Sequence, residues 1–333
     1  MVSNILKSNQ PTALILTTLI GLGLWIGSFL TPIGMNIPSD CMNMPFYEIL
    51  TNGINKNPLF AVILTFVLIF VQALLLIQFN KKFIVINFRT YLPAFFYLII
   101  ASSFTPLQRL NPVVFGTLFI YLAIYFILSV YRTDSAIDKI YIAGFFISIA
   151  SMFWAPFAVF FSIVILSLII LRPFIGREWI VSLLGFLTPY FFVFVYYFSF
   201  KSSDELDRLS SNFFNSFNLI KQFNQIHYAY YIFYGLLFLL IAAASISMVK
   251  NFQKKKIRIR KFYAINWYVF IISILIFVFF ENVGYEIVFI IGMPISFLLT
   301  DYFYAIKRNR YFNIVLLILF SSLVYIQIIA HNI

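Results

Sequence analysis

The sequence is short of charge. Only 10% of its 333 residues are Asp, Glu, Lys or Arg, against about 25% in a soluble domain, too few to cover a surface facing water. Cysteine occurs once, at Cys41, which excludes an internal disulfide. Histidine occurs twice, at His227 and His331, so Cys/His clusters of the kind that hold structural zinc are excluded as well. No repeat of fixed period, low-complexity linker or nucleophile-elbow sequence is present. No ionisable side chain falls near the centre of any long apolar run, where ion-coupled carriers and proton pumps usually place one.

What fills the chain instead is apolar and aromatic: 62% hydrophobic residues, with 44 Phe and 21 Tyr. The apolar runs are continuous rather than alternating, which favours helices crossing a bilayer over the strands of a barrel. The expectation is an all-α, polytopic transmembrane helical bundle, a single integral membrane domain over residues 1–333. Eleven spans are expected: Pro11 to Leu30, Pro58 to Gln78, Thr90 to Phe104, Pro112 to Val130, Ile140 to Phe153, Pro156 to Leu171, Ile180 to Phe200, Tyr228 to Val249, Ala264 to Phe280, Tyr285 to Tyr304, and Tyr311 to Ala330. The third, fifth and sixth are short. No small-residue cleavage site follows the run ending at Leu30, which reads as a retained first span.

Charge segregation gives an orientation. With the N-terminus inside, only Lys56, Arg109, Lys201, Arg208 and Lys221 of the 23 positive residues fall outside, while Asp40, Glu48, Asp204, Glu205, Asp207, Glu281 and Glu286 join them there. Cytoplasmic loops hold the positive excess, so the arrangement is N-in and C-out, in the cytoplasmic (inner) membrane. The run KNFQKKKIRIRKF, Lys250 to Phe262, then lies in an inner loop, held against anionic lipid at about 1 kcal/mol per cation. Nucleic acid is not an expected partner. Asp301, near the inner end of the tenth span, is expected to pair with Lys307 or Arg308.

The chemistry-bearing residues gather on the outer side. The first outer loop, Thr31 to Asn57, contains Asp40, Glu48 and an amphipathic piece, MPFYEIL, able to lie in the interface. The turn FTPLQRLNP carries Arg109 between two prolines. The loop from Lys201 to His227 carries three acids and the aromatics Phe213, Phe214 and Phe217. Carboxylates, a guanidinium and an imidazole at one aqueous interface suit group transfer from a lipid-linked phosphate. Asp40 or Glu48 would be the general base, and Arg109, Lys201 and His227 would hold the phosphate. Neither a metal nor a cofactor is expected. The pair Glu281 and Glu286 reads as a helix start favoured by negative charge.

The element order carries a resemblance. A first span, an acidic outer loop, then spans joined by short loops, with a short helical pair around Ala143 to Leu171 ending in LRPFIGREW, resembles the membrane module of polyprenyl-phosphate-dependent glycosyltransferases of the GT-C fold. The likeness covers about Asn4 to Phe200. It implies a module of about seven spans over residues 1–200, followed by four further spans over 228–330. It also implies a polyprenyl phosphate partner, with Asp40 as the acid and Glu48 as its substitute. The chain departs from that layout in placing Asp40 ten residues beyond Leu30 and in lacking a charge in SIASMFWAP. It also resembles Phe- and Ile-rich inner-membrane proteins of Bacteroidota. Besides a transferase, two readings stand: a non-enzymatic subunit that scaffolds other membrane proteins, and a lipid or solute carrier with a cavity at Pro189 or Pro294.

Overall fold

Proline starts helices in this chain. Pro11, Pro45, Pro58 and Pro112 each occupy a first helical residue, where the missing N–H forfeits no intrahelical bond. Asn111 caps the last of these by accepting a hydrogen bond from the Val114 N–H at 3.0 Å. The structure, a computed structural model, describes residues 6–7, 10–32, 44–54, 57–86, 88, 90–103, 105–133, 135–172, 174–219, 228–306 and 309–332. Its α-helices are α1 Pro11–Leu30, α2 Pro45–Ile54, α3 Pro58–Phe83, α4 Leu92–Ala101, α5 Pro112–Leu128, α6 Ile137–Phe153, α7 Phe161–Leu171, α8 Gly176–Phe200, α9 Ser203–Asn215, α10 Tyr228–Asn251, α11 Ile257–Phe279, α12 Val288–Ala305 and α13 Asn309–Asn332. No strand occurs among the described residues, and the all-α expectation holds.

Seven of these helices are long and apolar enough to cross a membrane: α1, α3, α8, α10, α11, α12 and α13. Only 17% of the apolar stretch of α8 is buried, and its exposed side is Leu184, Leu187, Phe191, Phe194 and Phe198. A continuous apolar face of that kind suits acyl chains and not water. The segments expected as the third to sixth spans are shorter. The ten residues of α4 make a helix of about 15 Å, half of an apolar slab of about 30 Å. Every one of them is buried, so α4 is walled off from lipid by its neighbours. The sixth segment opens as a 3₁₀ turn, Ala155–Phe160, before α7 begins.

A polar knot holds α3, α4, α5 and α12 in register around that inner helix. The Tyr97 hydroxyl donates to Gln72 Oε1, Gln72 Nε2 donates to the Val114 carbonyl at 2.7 Å, and the Tyr121 hydroxyl donates to the Phe289 carbonyl at 2.6 Å. All three side chains are fully buried, where an unmet polar group is costly, so each bond specifies the packing. Gly292 makes room for the Tyr97 ring, which a Cβ there would meet at 2.9 Å.

Hydrogen bonds sort the helix ends into two groups. At one end Lys7 donates to the Ile306 carbonyl at 3.0 Å, Lys139 to the Ser129 carbonyl at 3.1 Å, Arg172 to the Thr133 carbonyl at 2.8 Å, and Arg258 and Lys261 to the Lys82 and Leu171 carbonyls, both at 3.4 Å. These acceptors lie at or just past the C-termini of α3, α5, α7 and α12, the negative ends of helices. At the other end Trp25 Nε1 donates to Ser102 Oγ at 2.9 Å, Ser28 Oγ to Gln108 Oε1 at 2.6 Å, and the Glu281 N–H to the Asn218 carbonyl at 2.8 Å.

The basic run therefore does more than face lipid. Arg258 and Lys261 cap helices, and Lys255 pairs with Asp301, its Nζ 2.7 Å from both carboxylate oxygens. The expected partners of Asp301, Lys307 and Arg308, lie outside the described residues; the α10–α11 turn carries Lys255 over the end of α12, where it pairs with Asp301.

Candidate functional site

The site begins with two glycines. A Cβ on Gly144 of α6 would lie 2.5 Å from the Ser182 carbonyl oxygen, and one on Gly185 of α8 would collide with the Tyr141 carbonyl, so the two backbones touch. Close approach of this kind is what small residues permit between membrane helices. The Tyr141 hydroxyl donates to Thr188 Oγ1 at 3.0 Å, and Ser151 Oγ and the Tyr190 hydroxyl lie 2.6 Å apart, which extends the seam. One turn past Gly185 stands Pro189, which has no N–H to return to the Gly185 carbonyl. From there a cavity of about 660 Å³ opens.

Its walls are apolar. Phe145 and Ile149 come from α6, Pro189, Phe192 and Val193 from α8, and Phe46 and Ile49 from α2. Its rim is polar: Glu48 on α2, Tyr196 and Tyr197 at the end of α8, then Lys201, Glu205, Arg208 and Asn212. Those last four follow a spacing of four, three and four residues, which puts them on one face of α9 and the turn leading into it. The helix starts at Ser202, whose side chain accepts from the Glu205 N–H at 3.4 Å. Phe213 packs edge-on to Tyr190 and Phe217 to Phe280, so α9 is tethered across the cavity mouth.

Rim electrostatics are of mixed sign. Lys201 Nζ stands 3.1 Å from Glu205 Oε2, and that hydrogen-bonded pair raises the lysine above its ordinary pKa. Arg208 is exposed at the rim, and its guanidinium makes no hydrogen bond or ion pair to the described residues. Glu48, Lys201 and Glu205 all act electrostatically on Tyr197, which places the α2 carboxylate in the same field as the α9 charges. Among the described residues no three His, Cys, Asp or Glu side chains gather as a metal site would require. The arrangement joins an apolar cleft to a rim with charges of both signs.

Residues 41–332 match the family of unknown function DUF6427. The chain belongs to that family. No curated protein and no solved structure matches it. The DUF6427 match begins one residue past Asp40 and contains Glu48, Lys201 and Arg208.

Of the residues expected to form the site of this DUF6427 protein, Glu48 and Lys201 line one cavity. Arg109 is not among its lining residues. It stands beside Leu110, whose carbonyl accepts from the Tyr47 hydroxyl at 3.5 Å, at the inward-turned side of α2. Asp40 and His227 lie outside the described residues. Sequence reading passed over Arg208 and Asn212 and took Glu205 as a solvated acid. The signal available was their shared stripe with Lys201, directly after a span interrupted by Pro189.

Proposed function

We propose that this DUF6427 protein takes a phosphate-bearing amphiphile from the outer leaflet of the inner membrane into the cavity between α6 and α8. The carrying observation is the joining of an apolar cleft, continuous with the lipid-facing side of α8, to a rim that holds Lys201 and Arg208. The orientation that puts this rim outside, with N-terminus in, C-terminus out and eleven crossings, is supported by the two sets of helix ends. Thr90 Oγ1 donates to the Leu6 carbonyl at one end while Ser102, twelve residues on, accepts from Trp25 at the other. In this reading α4 to α7 are crossings, of which α4 is enclosed by protein on every side.

Group transfer is the finer form of the proposal. Glu48 would take the proton of an acceptor hydroxyl as its oxygen bonds to the transferred group, and that group's bond to the donor phosphate would break with the lipid phosphate leaving at Lys201 and Arg208. Of the two prolines, the carrier reading finds its space at Pro189, since the gap at Pro294 holds about 20 Å³, room for a single water. Native mass spectrometry of the detergent-purified protein tests lipid occupancy. Wild type should retain phospholipid, and Ile149→Trp and Val193→Trp, which fill the cleft, should lose it while keeping the wild-type melting temperature. Equal retention in all three would overturn the reading.

A further inference from the structure

The cavity rim mixes two kinds of chemistry. It carries the cations Lys201 and Arg208, and the Arg208 guanidinium makes no bond to the described residues. It also carries Glu48 together with the aromatic rings of Phe46, Tyr196 and Tyr197, all lining the same space. Tyr196 and Tyr197 stand edge to face with centroids 5.7 Å apart, so they present rings at different inclinations. A carboxylate beside aromatic faces is the chemistry that recognises an ammonium group, through charge and through the ring quadrupoles. A guanidinium with a nearby ammonium recognises phosphate. Two acids, Glu48 and Glu205, balance two bases, so the rim carries no net formal charge. A site for a purely anionic headgroup would gather cations without matching acids.

We infer that the ligand is a zwitterionic phospholipid, its phosphate at Lys201 and Arg208 and its ammonium between Glu48 and the Tyr196 and Tyr197 rings. This rests on the cavity reading above and names its headgroup class. The acyl chains then run along Phe145, Ile149 and Val193 toward the lipid-facing side of α8. No bond is made or broken in this step. The primary amine of an ethanolamine head and the quaternary amine of a choline head share the chemistry, and the two differ in hydrogen-bond donors to Glu48.

The test is competition in nanodiscs, with full-length protein and equal amounts of phosphatidylethanolamine, phosphatidylcholine and phosphatidylglycerol, read by native mass spectrometry. Wild type should retain either zwitterionic lipid about tenfold over phosphatidylglycerol, the factor that about 1.4 kcal/mol of ammonium recognition provides. Glu48→Gln should erase that preference while phosphatidylglycerol stays bound. Arg208→Gln should weaken all three alike. Preference for ethanolamine over choline would point to the Glu48 hydrogen bond, and equal retention to the aromatic rings; both support the inference. Equal or better retention of phosphatidylglycerol by wild type would overturn the zwitterionic class and leave the cavity reading standing. Retention of every lipid by Ile149→Trp would overturn the cavity reading itself.

Discussion

Lys255 Nζ lies 2.7 Å from each carboxylate oxygen of Asp301, and the same ammonium sits 5.0 Å from the centroid of the Tyr263 ring. The pair clamps the α10–α11 turn onto the end of α12. Its side chains are only 15% and 24% exposed, so breaking it strands a partly desolvated charge.

Asp301→Asn should therefore lower stability by about 1–3 kcal/mol, in the range for losing one partner of a mostly buried charge-assisted bond. The double substitution Lys255→Met with Asp301→Leu should recover much of that loss, because no charge is then left alone. Thermal unfolding in a neutral detergent measures both; an unchanged melting temperature for Asp301→Asn would show that the clamp contributes nothing.

Gln72→Leu should destabilise by a similar amount, about 1–3 kcal/mol, since it takes the acceptor from the Tyr97 hydroxyl in a dry interior and removes the second bond to the Val114 carbonyl. Adding Tyr97→Phe removes one orphan and should return part of the loss. A double-mutant cycle on melting temperature isolates the coupling.

The α6–α8 seam predicts a steric cost. Gly144→Leu and Gly185→Leu must push the backbones apart, at about 1–3 kcal/mol or more each. Both should also reduce lipid retention, because the cleft opens directly past Gly185. Gly176, with open space where its Cβ would stand, should accept alanine without loss.

The Lys201–Glu205 pair predicts a pH dependence. The lysine's pKa is raised above its ordinary 10.5 in the folded protein, so the pair's contribution is whole below that value and fades as pH climbs through the raised one. Lipid retention should accordingly be flat from pH 6 to about 9. In Glu205→Gln the Lys201 titration, followed by NMR of labelled lysine methylene groups, should move down toward the ordinary value. No movement would mean that the pair does not persist in solution.

Orientation is tested with single cysteines in a Cys41→Ser background. Lys256→Cys and Arg208→Cys, both exposed, should react with impermeant maleimide from opposite sides of intact vesicles. Labelling from the same side would dismantle the topology and, with it, an outer-leaflet source for the ligand.

Sequence reading reached the helices where a long apolar run faces lipid. The expected first span, Pro11 to Leu30, is α1 residue for residue, because nothing but the run and its opening proline decides it. It read MPFYEIL as an amphipathic piece, and that stretch contributes the start of α2, since amphipathic spacing alone carries that information. It overstated the third span, where α4 keeps only ten helical residues. A buried helix and a lipid-facing one have the same hydropathy, and only the neighbours that enclose α4 tell them apart.

The composition by itself determined the solvent: a chain with this little charge and this much Phe and Ile has to bury its surface in lipid. The grouping of Lys and Arg into alternate loops determined which helix ends stand together, because charge is read locally along the chain. Tertiary structure alone decided the partners. That Asp301 meets Lys255 depends on how the α10–α11 turn lies over the end of α12, and that Glu48 shares a cavity with Lys201 and Arg208 while Arg109 does not depends on how α2, α6, α8 and α9 are set around it. Such contacts join residues far apart along the chain, 46 positions in the case of Lys255 and Asp301, and no local pattern in a single sequence encodes them.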